Sequence, residues 1–233
     1  MLKKVGIFLL ALTLFLSVGQ VYAEDIGPDT VLGETEVYLD GSRDNVRTGE
    51  TNLGNLIADI LRYYGEEFYD GADIGLQHAG GIRASLEEGE ITVEDVLEVY
   101  TFANYVTTVE LKGHEVLEVL EHSVSQYPDS SGAFLQVSGI SFSFDPSREP
   151  GDRIEEVLVD GSDLDLEEYY FVATNNFIAR GSDGYEVLGD VELSRLQNLY
   201  SADFITMQEA LIEYIQEHIP INIEIENRIN IIK

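Results

Sequence analysis

Two adjacent glycines, Gly80 and Gly81, stand between a short apolar run at residues 73–77 and Arg83. The run is too short for a stable helix, so it reads as a β-strand that stops at a turn. Glycine lacks a Cβ, and a turn built from two of them is free to adopt φ > 0 and direct main-chain N–H groups at a ligand. Arg83 adds a planar fork of donors that matches phosphate oxygens. The pattern therefore suits an anion site at a strand end. It suits an ordinary turn equally well, and the rest of the chain has to decide between them.

With 233 residues and 44% hydrophobic content, the chain is long enough to bury a core in one large domain or two small ones. Its first 23 residues read as a secretory signal. Lys3 and Lys4 precede an apolar run at residues 5–18, and Val21, Tyr22 and Ala23 form a small-x-small cleavage site, so the mature chain is expected to start at Glu24. A retained membrane anchor is the alternative, against which the shortness of the run counts. The absence of cysteine excludes disulfides, thiolate metal sites and a lipid-modified cysteine at the cleavage point. A secreted or otherwise extracytoplasmic protein, periplasmic or cell-surface, is the expectation.

Charge narrows the function further. There are 44 acidic against 13 basic residues and a formal net charge of −31. Such a chain lacks the basic face that nucleic acid or anionic lipid requires, so neither is an expected partner. A heavily solvated surface suited to high salt accounts for the excess acid, and basic residues that cluster within it stand out.

Residues 25–49 are polar and turn-rich, and are expected to form a loop with one short strand. Leu53, Leu56, Ile57, Ile60 and Leu61 recur at helical spacing, which predicts a helix over 51–64 that packs on a sheet. A second helix is expected over 92–100, with Thr92 and Asp95 in a capping box, a strand over 104–111 and a helix over 114–127. The second half is richer in β-branched and aromatic runs: 134–137, 140–144, 153–159 and 169–174 read as strands. A helix over 202–219 and an isoleucine-rich tail over 221–232 close the chain. Strands and helices mix without a strict βαβ rhythm and no linker or repeat interrupts them, so the expected fold class is a single mixed α/β domain over 24–233, with layered sheets and flanking helices.

Several separate blocks, taken together and in order, resemble the C-terminal domain of the 5′-nucleotidases, secreted enzymes that dephosphorylate nucleotides. The blocks are Arg43-Asp44-Asn45-Val46-Arg47, Glu50-Thr51-Asn52-Leu53-Gly54-Asn55-Leu56, Gly80-Gly81-Ile82-Arg83, Thr101-Phe102-Ala103-Asn104, Ser131-Gly132-Ala133, and Asn176-Phe177 with Gly181-Ser182-Asp183-Gly184-Tyr185. They span residues 30–190. The resemblance implies that Arg43, Arg47 and Arg83 hold a phosphate, that Phe102 and Phe177 sandwich a base, that Asn104 bonds the base edge, and that Asp183 holds the ribose hydroxyls. It also places Gly132 among the substrate-binding positions. The residue types agree, since guanidiniums bind a dianion in bidentate fashion, flat rings stack on flat bases, and a carboxylate accepts from a diol. Without the resemblance, the arginines suit solvated partners for surface acids, the phenylalanines suit core, and Asp183 suits a simple turn.

Full-length enzymes of this type carry an N-terminal metallophosphatase domain whose Asp, His and Asn residues hold two metals. These 233 residues contain no Asp-x-His near the expected mature start and no Gly-Asn-His-Asp or Gly-Asn-His-Glu run, and only four histidines: His78, His114, His122 and His218. No metal or other cofactor is expected on this chain, and the divalent pair is expected on a partner metallophosphatase chain. His78 stands where the family more often has a small amide or hydroxyl residue. It is a candidate phosphate donor or catalytic acid or base, with a backbone-bonded strand-end histidine as the alternative. The leading expectation is a secreted nucleotide-recognition domain that completes an active site with that partner. The alternative is a binding-only module that captures extracellular nucleotides or nucleosides for uptake or sensing.

Overall fold

The protein is described from a computed structural model, which covers residues 27–68, 71–192, 195–197 and 205–232. The expected signal at 1–23 lies outside the described residues. Strand β1 (Val31–Thr35) is followed by the short helix α1 (Arg43–Val46) and the long helix α2 (Asn52–Phe68). Next come β2 (Ile74–His78), β3 (Gly89–Thr92), α3 (Val93–Val99), β4 (Val106–Lys112) and α4 (Gly113–Val124). The hairpin-rich middle contains β5 (Leu135–Ser138), β6 (Ile140–Phe144), β7 (Ile154–Val159), the two-residue β8 (Ser162–Asp163) and β9 (Tyr169–Asn175). Last are α5 (Glu186–Gly189), β10 (Leu196–Gln197), α6 (Met207–Glu217) and β11 (Ile229–Ile231).

These elements form a mixed α/β fold with layered sheets. A five-stranded sheet runs in the order β10-β4-β9-β2-β5, and a four-stranded sheet runs β11-β6-β7-β8. In the first, β2 and β9 are parallel and the other pairs antiparallel; in the second, β11 lies parallel to β6. A separate antiparallel ribbon joins β1 to β3. No helix among the described residues is long and apolar enough to cross a membrane.

Helix α2 sits on the five-stranded sheet against β2, β5 and β9. Leu53, Leu56, Ile57, Ile60 and Leu61, the residues that predict it, are all buried there. The capping box of α3 is present, with the Thr92 hydroxyl accepting from Asp95 N and the Asp95 carboxylate accepting from Thr92 N at 2.7 Å. Two parts of the amino-terminal region differ from expectation: residues 25–49 contain helix α1 as well as a strand, and β3 pairs with β1 where no strand is expected. A one-turn helix carries no apolar period, and β3 lies in the acidic run Glu87-Glu88-Gly89-Glu90, so local pattern conceals both.

The polar side chain that binds these parts is Gln136, fully buried on β5. Its Nε2 donates to Val46 O at 2.9 Å and to Gly49 O at 2.7 Å. Its Oε1 accepts from Thr51 N at 3.0 Å. One carboxamide thus saturates the end of α1, the following loop and the start of α2. Gly54 makes room for it, because a Cβ there would lie 2.2 Å from Oε1. Leaving a buried backbone group unsatisfied costs about 1–3 kcal/mol. We therefore expect Gln136→Leu to lose on the order of 3 kcal/mol or more in urea unfolding, because three such groups are abandoned. A loss below about 1 kcal/mol would contradict this role.

Candidate functional site

The segment anchored by Gln136 carries the first two arginines of interest. Arg43 opens α1 and Arg47 follows its last residue, and the four-residue spacing directs both to one side. Arg43 is exposed, whereas Arg47 is buried with no hydrogen-bond partner at its Nε. No described carboxylate pairs with Arg43, Arg47 or Arg83. In contrast, Arg62, Lys112, Arg148, Arg195 and Arg228 each hold a carboxylate at 2.5–3.3 Å. Burial lowers the pKa of Arg47, and repulsion from Arg43 and Arg83 adds to the effect, while Asp183 acts in the opposite direction. A guanidinium stays charged nonetheless, so the three form a positive cluster, with Asp183 the carboxylate acting on it, within a strongly acidic chain.

The glycine turn works differently from the expectation. Neither Gly80 nor Gly81 has a positive φ; they form one 3₁₀ turn with Ala79 at the end of β2. The neighbouring N–H groups are already engaged as well. Ala79 N donates to Phe134 O at 2.7 Å, Gly80 N to Gly132 O at 2.8 Å and Arg83 N to Val99 O at 3.0 Å. Glycine is required for close approach instead: a Cβ on Gly81 would lie 2.4 Å from the Gln77 amide nitrogen and 3.0 Å from His78 Cε1. The arginines supply the formal positive charge there.

Two aromatic rings come from different loops. Phe102 lies between α3 and β4 and is 52% exposed, far from the core position that an aromatic usually takes. The guanidinium of Arg83 stands 5.8 Å from its ring centroid. Gln208, on α6, holds this loop by donating to Tyr100 O and Phe102 O, each at 3.1 Å. Phe177 follows β9 and is half-buried; its N–H donates to the Asn175 carboxamide at 3.0 Å. The side chain of Asn104 accepts and donates no hydrogen bond within the described residues.

His78 ends β2 and is 3% exposed. Its ring stacks on Phe177 with centroids 5.1 Å apart and an interplanar angle of 24°. Asn175 Nδ2 lies 3.1 Å from Nδ1. An amide nitrogen can only donate, so Nδ1 accepts and the ring hydrogen sits on Nε2. Burial, with a smaller push from Arg47, lowers the His78 pKa to about 4, and the ring is neutral near pH 7.

One cavity of about 400 Å³ gathers these groups. It is lined by Arg47, His78, Gly80, Arg83, Phe102, Asn104, Gly132, Phe177 and Asp183. Eight of the nine residues singled out in the sequence line it, and Arg43 stands outside the lining. The supporting residues Asn175, Gln208 and Gln136 escape sequence reasoning, since nothing local marks an amide that acts across a fold. Among the described residues no group of three or more His, Asp or Glu side chains is placed to hold a metal ion. His114 and His122 share α4 but serve different carbonyls: His114 Nδ1 lies 3.2 Å from Leu166 O, and His122 Nε2 lies 2.8 Å from Asp183 O.

Comparison with known proteins identifies the family of the chain. A family profile described as "5'-nucleotidase, C-terminal domain" matches residues 31–190. The chain is 39% identical over 193 residues to the trifunctional nucleotide phosphoesterase protein YfkN of Bacillus subtilis, covering 81% of this chain and 13% of that protein. It is 39% identical over 175 residues to the human 5′-nucleotidase, covering 68% of this chain and 30% of that one. The crystal structure of the 5′-nucleotidase precursor from Thermus thermophilus superposes with a TM-score of 0.81 at 41% identity, over 87% of this chain and 39% of that one. The chain thus spans less than a third of the length of these two sequence relatives. By the matched profile and by these relatives, it belongs to the 5′-nucleotidase family, with residues 31–190 forming the C-terminal domain.

Proposed function

We propose that this domain binds a nucleotide, with its phosphate on Arg43, Arg47 and Arg83 and its base between Phe102 and Phe177. Asn104 reads the base edge, Asp183 accepts from the ribose hydroxyls, and Gly132 lets the sugar approach the backbone. The observation that carries this reading is the company the arginines keep. Two guanidiniums without a carboxylate partner, Arg47 and Arg83, line the cavity beside two aromatic rings and the Asp183 carboxylate, with Arg43 outside the lining, in a chain with acid to spare. Five other basic residues each hold a carboxylate, whereas these arginines hold none. A dianion answers Arg47 and Arg83 together, with Arg43 adding its charge from outside the lining.

The reading extends to nucleotide dephosphorylation outside the cytoplasm, with residues 1–23 as an export signal. Hydrolysis in this reading draws its metal pair from outside these 233 residues, on a separate metallophosphatase chain, because the described side chains do not fit a dimetal centre. What this chain contributes is grip and orientation of the substrate, which alone can account for a large part of a rate enhancement.

His78 serves this site as a neutral donor. Its Nε2–H is available to a ligand acceptor, and its ring stacks on Phe177. A group whose pKa is near 4 holds almost no proton at pH 7, so we assign it hydrogen bonding in preference to proton transfer.

Calorimetric titration of the purified chain with AMP and adenosine, without metal and then with Mn²⁺, tests the proposal. We expect metal-independent binding of AMP, weakened about 5- to 100-fold by Phe102→Ala or Phe177→Ala, and no release of phosphate. Absence of binding to either ligand would overturn the nucleotide reading, and phosphate release by the pure chain would overturn the need for a partner. The buried histidine predicts a pH effect. Its folded pKa lies below the ordinary 6.5, so the unfolded chain takes up a proton first as pH falls. The stabilisation is present above pH 6.5 and is lost as pH falls towards 4. The stability gap between the wild type and His78→Gln should narrow over that window by up to about 3 kcal/mol in urea titrations. A gap independent of pH would contradict a neutral buried ring.

A further inference from the structure

We infer that His122 is a positioning residue, which holds the turn carrying Asp183 so that its carboxylate faces the cavity, and thereby sets discrimination between ribose and 2′-deoxyribose. The inference rests on the ribose role proposed above for Asp183. His122 lies on α4, outside the cavity lining.

The turn it holds is permissive by construction. Asp183 has φ 55° and ψ 23°, a left-handed conformation that a non-glycine residue adopts at a cost, and it lies close to Gly181 at φ 83° and next to Gly184 at φ 85°. Two glycines around a strained aspartate give the segment many alternative paths, so its geometry must be imposed from outside. The local hydrogen bond across the turn, Tyr185 N to Ser182 O, is long at 3.3 Å.

His122 supplies the outside hold. Its Nε2 lies 2.8 Å from Asp183 O, and because a carbonyl only accepts, Nε2 is the donor. The ring meets Tyr185 edge-on, with centroids 4.6 Å apart at 75°. It fits tightly against the turn, since a Cβ on Gly184 would lie 2.7 Å from His122 Cε1. Tyr185, fully buried, donates its hydroxyl to Ala133 O, next to the cavity-lining Gly132. Gly132 O in turn accepts from Gly80 N at 2.8 Å. The histidine and the tyrosine thus clamp the Asp183 turn to two other walls of the same cavity. Loss of the donor frees the Asp183 carbonyl, and with it the direction of the carboxylate.

Three variants separate the hydrogen bond from the packing. His122→Phe keeps a ring against Tyr185 and removes the donor, His122→Gln restores a donor in reach of the carbonyl, and Asp183→Asn removes the charge being positioned. The affinities of AMP and 2′-deoxy-AMP are measured for each by calorimetry, alongside urea unfolding. We expect wild type to prefer AMP, Asp183→Asn to abolish most of the preference, His122→Phe to reduce it about tenfold through weaker AMP binding alone, and His122→Gln to recover it. A preference lost in Asp183→Asn but intact in His122→Phe would overturn the positioning role and leave the nucleotide reading standing. Equal losses for both ligands in His122→Phe would also overturn it, marking a general structural defect. A wild-type chain that binds neither ligand, or both equally, would remove the ribose role and this inference together.

Discussion

The buried carboxamide of Gln136 is the interaction on which the site most depends. Its three hydrogen bonds join the end of α1, the loop at Gly49 and the first turn of α2 to a strand of the central sheet. A buried amide that satisfies every partner fixes its neighbours in one arrangement, since any shift leaves a donor or acceptor without water or protein to meet it. Arg47 follows α1 directly, so the place of a positive charge is set by a neutral group on a different element. The same sheet ends in the turn that carries Gly80 and Gly81. Both halves of the positive cluster are therefore referred to one rigid surface.

Around that surface the cavity is assembled from separate connections, each tied down by a side chain from another part of the fold. Gln208 on α6 fixes the Phe102 loop, Asn175 fixes Phe177 and the tautomer of His78, and Tyr185 fixes the loop at Ala133. Loops are the mobile part of most folds, and binding geometry within a fraction of an ångström demands that they be held. Amide and hydroxyl groups do this without adding charge. That matters beside three arginines, where another ionised group would neutralise one or repel a ligand.

How much of this can be read from the sequence depends on the range of the interaction. Helix α2 and the Thr92 capping box are legible because period and cap lie within a few residues of each other. The candidate site residues are legible through the family resemblance carried by spaced blocks, and eight of the nine line one cavity. Helix α1 and strand β3 are not, because one turn of helix has no period and a four-residue strand with a single buried apolar side chain, Ile91, displays no alternation. Gly80 and Gly81 mark the right place for a different reason: the turn needs their missing side chains for close packing against Gln77 and His78, and not a left-handed backbone. Gln136, Asn175, Gln208 and His122 are ordinary polar residues until the fold brings a distant carbonyl or N–H to them.

The contrast between the cluster of unpaired arginines and the rest of the surface has a kinetic meaning. On the proposed reading, a dianion that approaches a chain of formal charge −31 would meet repulsion at long range and attraction only within the last few ångströms. Dissolved salt shortens the reach of both, to about 10 Å at 0.1 M, but it removes the distant barrier far more completely than the contact with a partly buried guanidinium. The usual rule for charged ligands, fast capture in dilute solution and slow capture in brine, is thereby turned round. On that reading, salty surroundings would lower the gate while the arginines would still hold what enters.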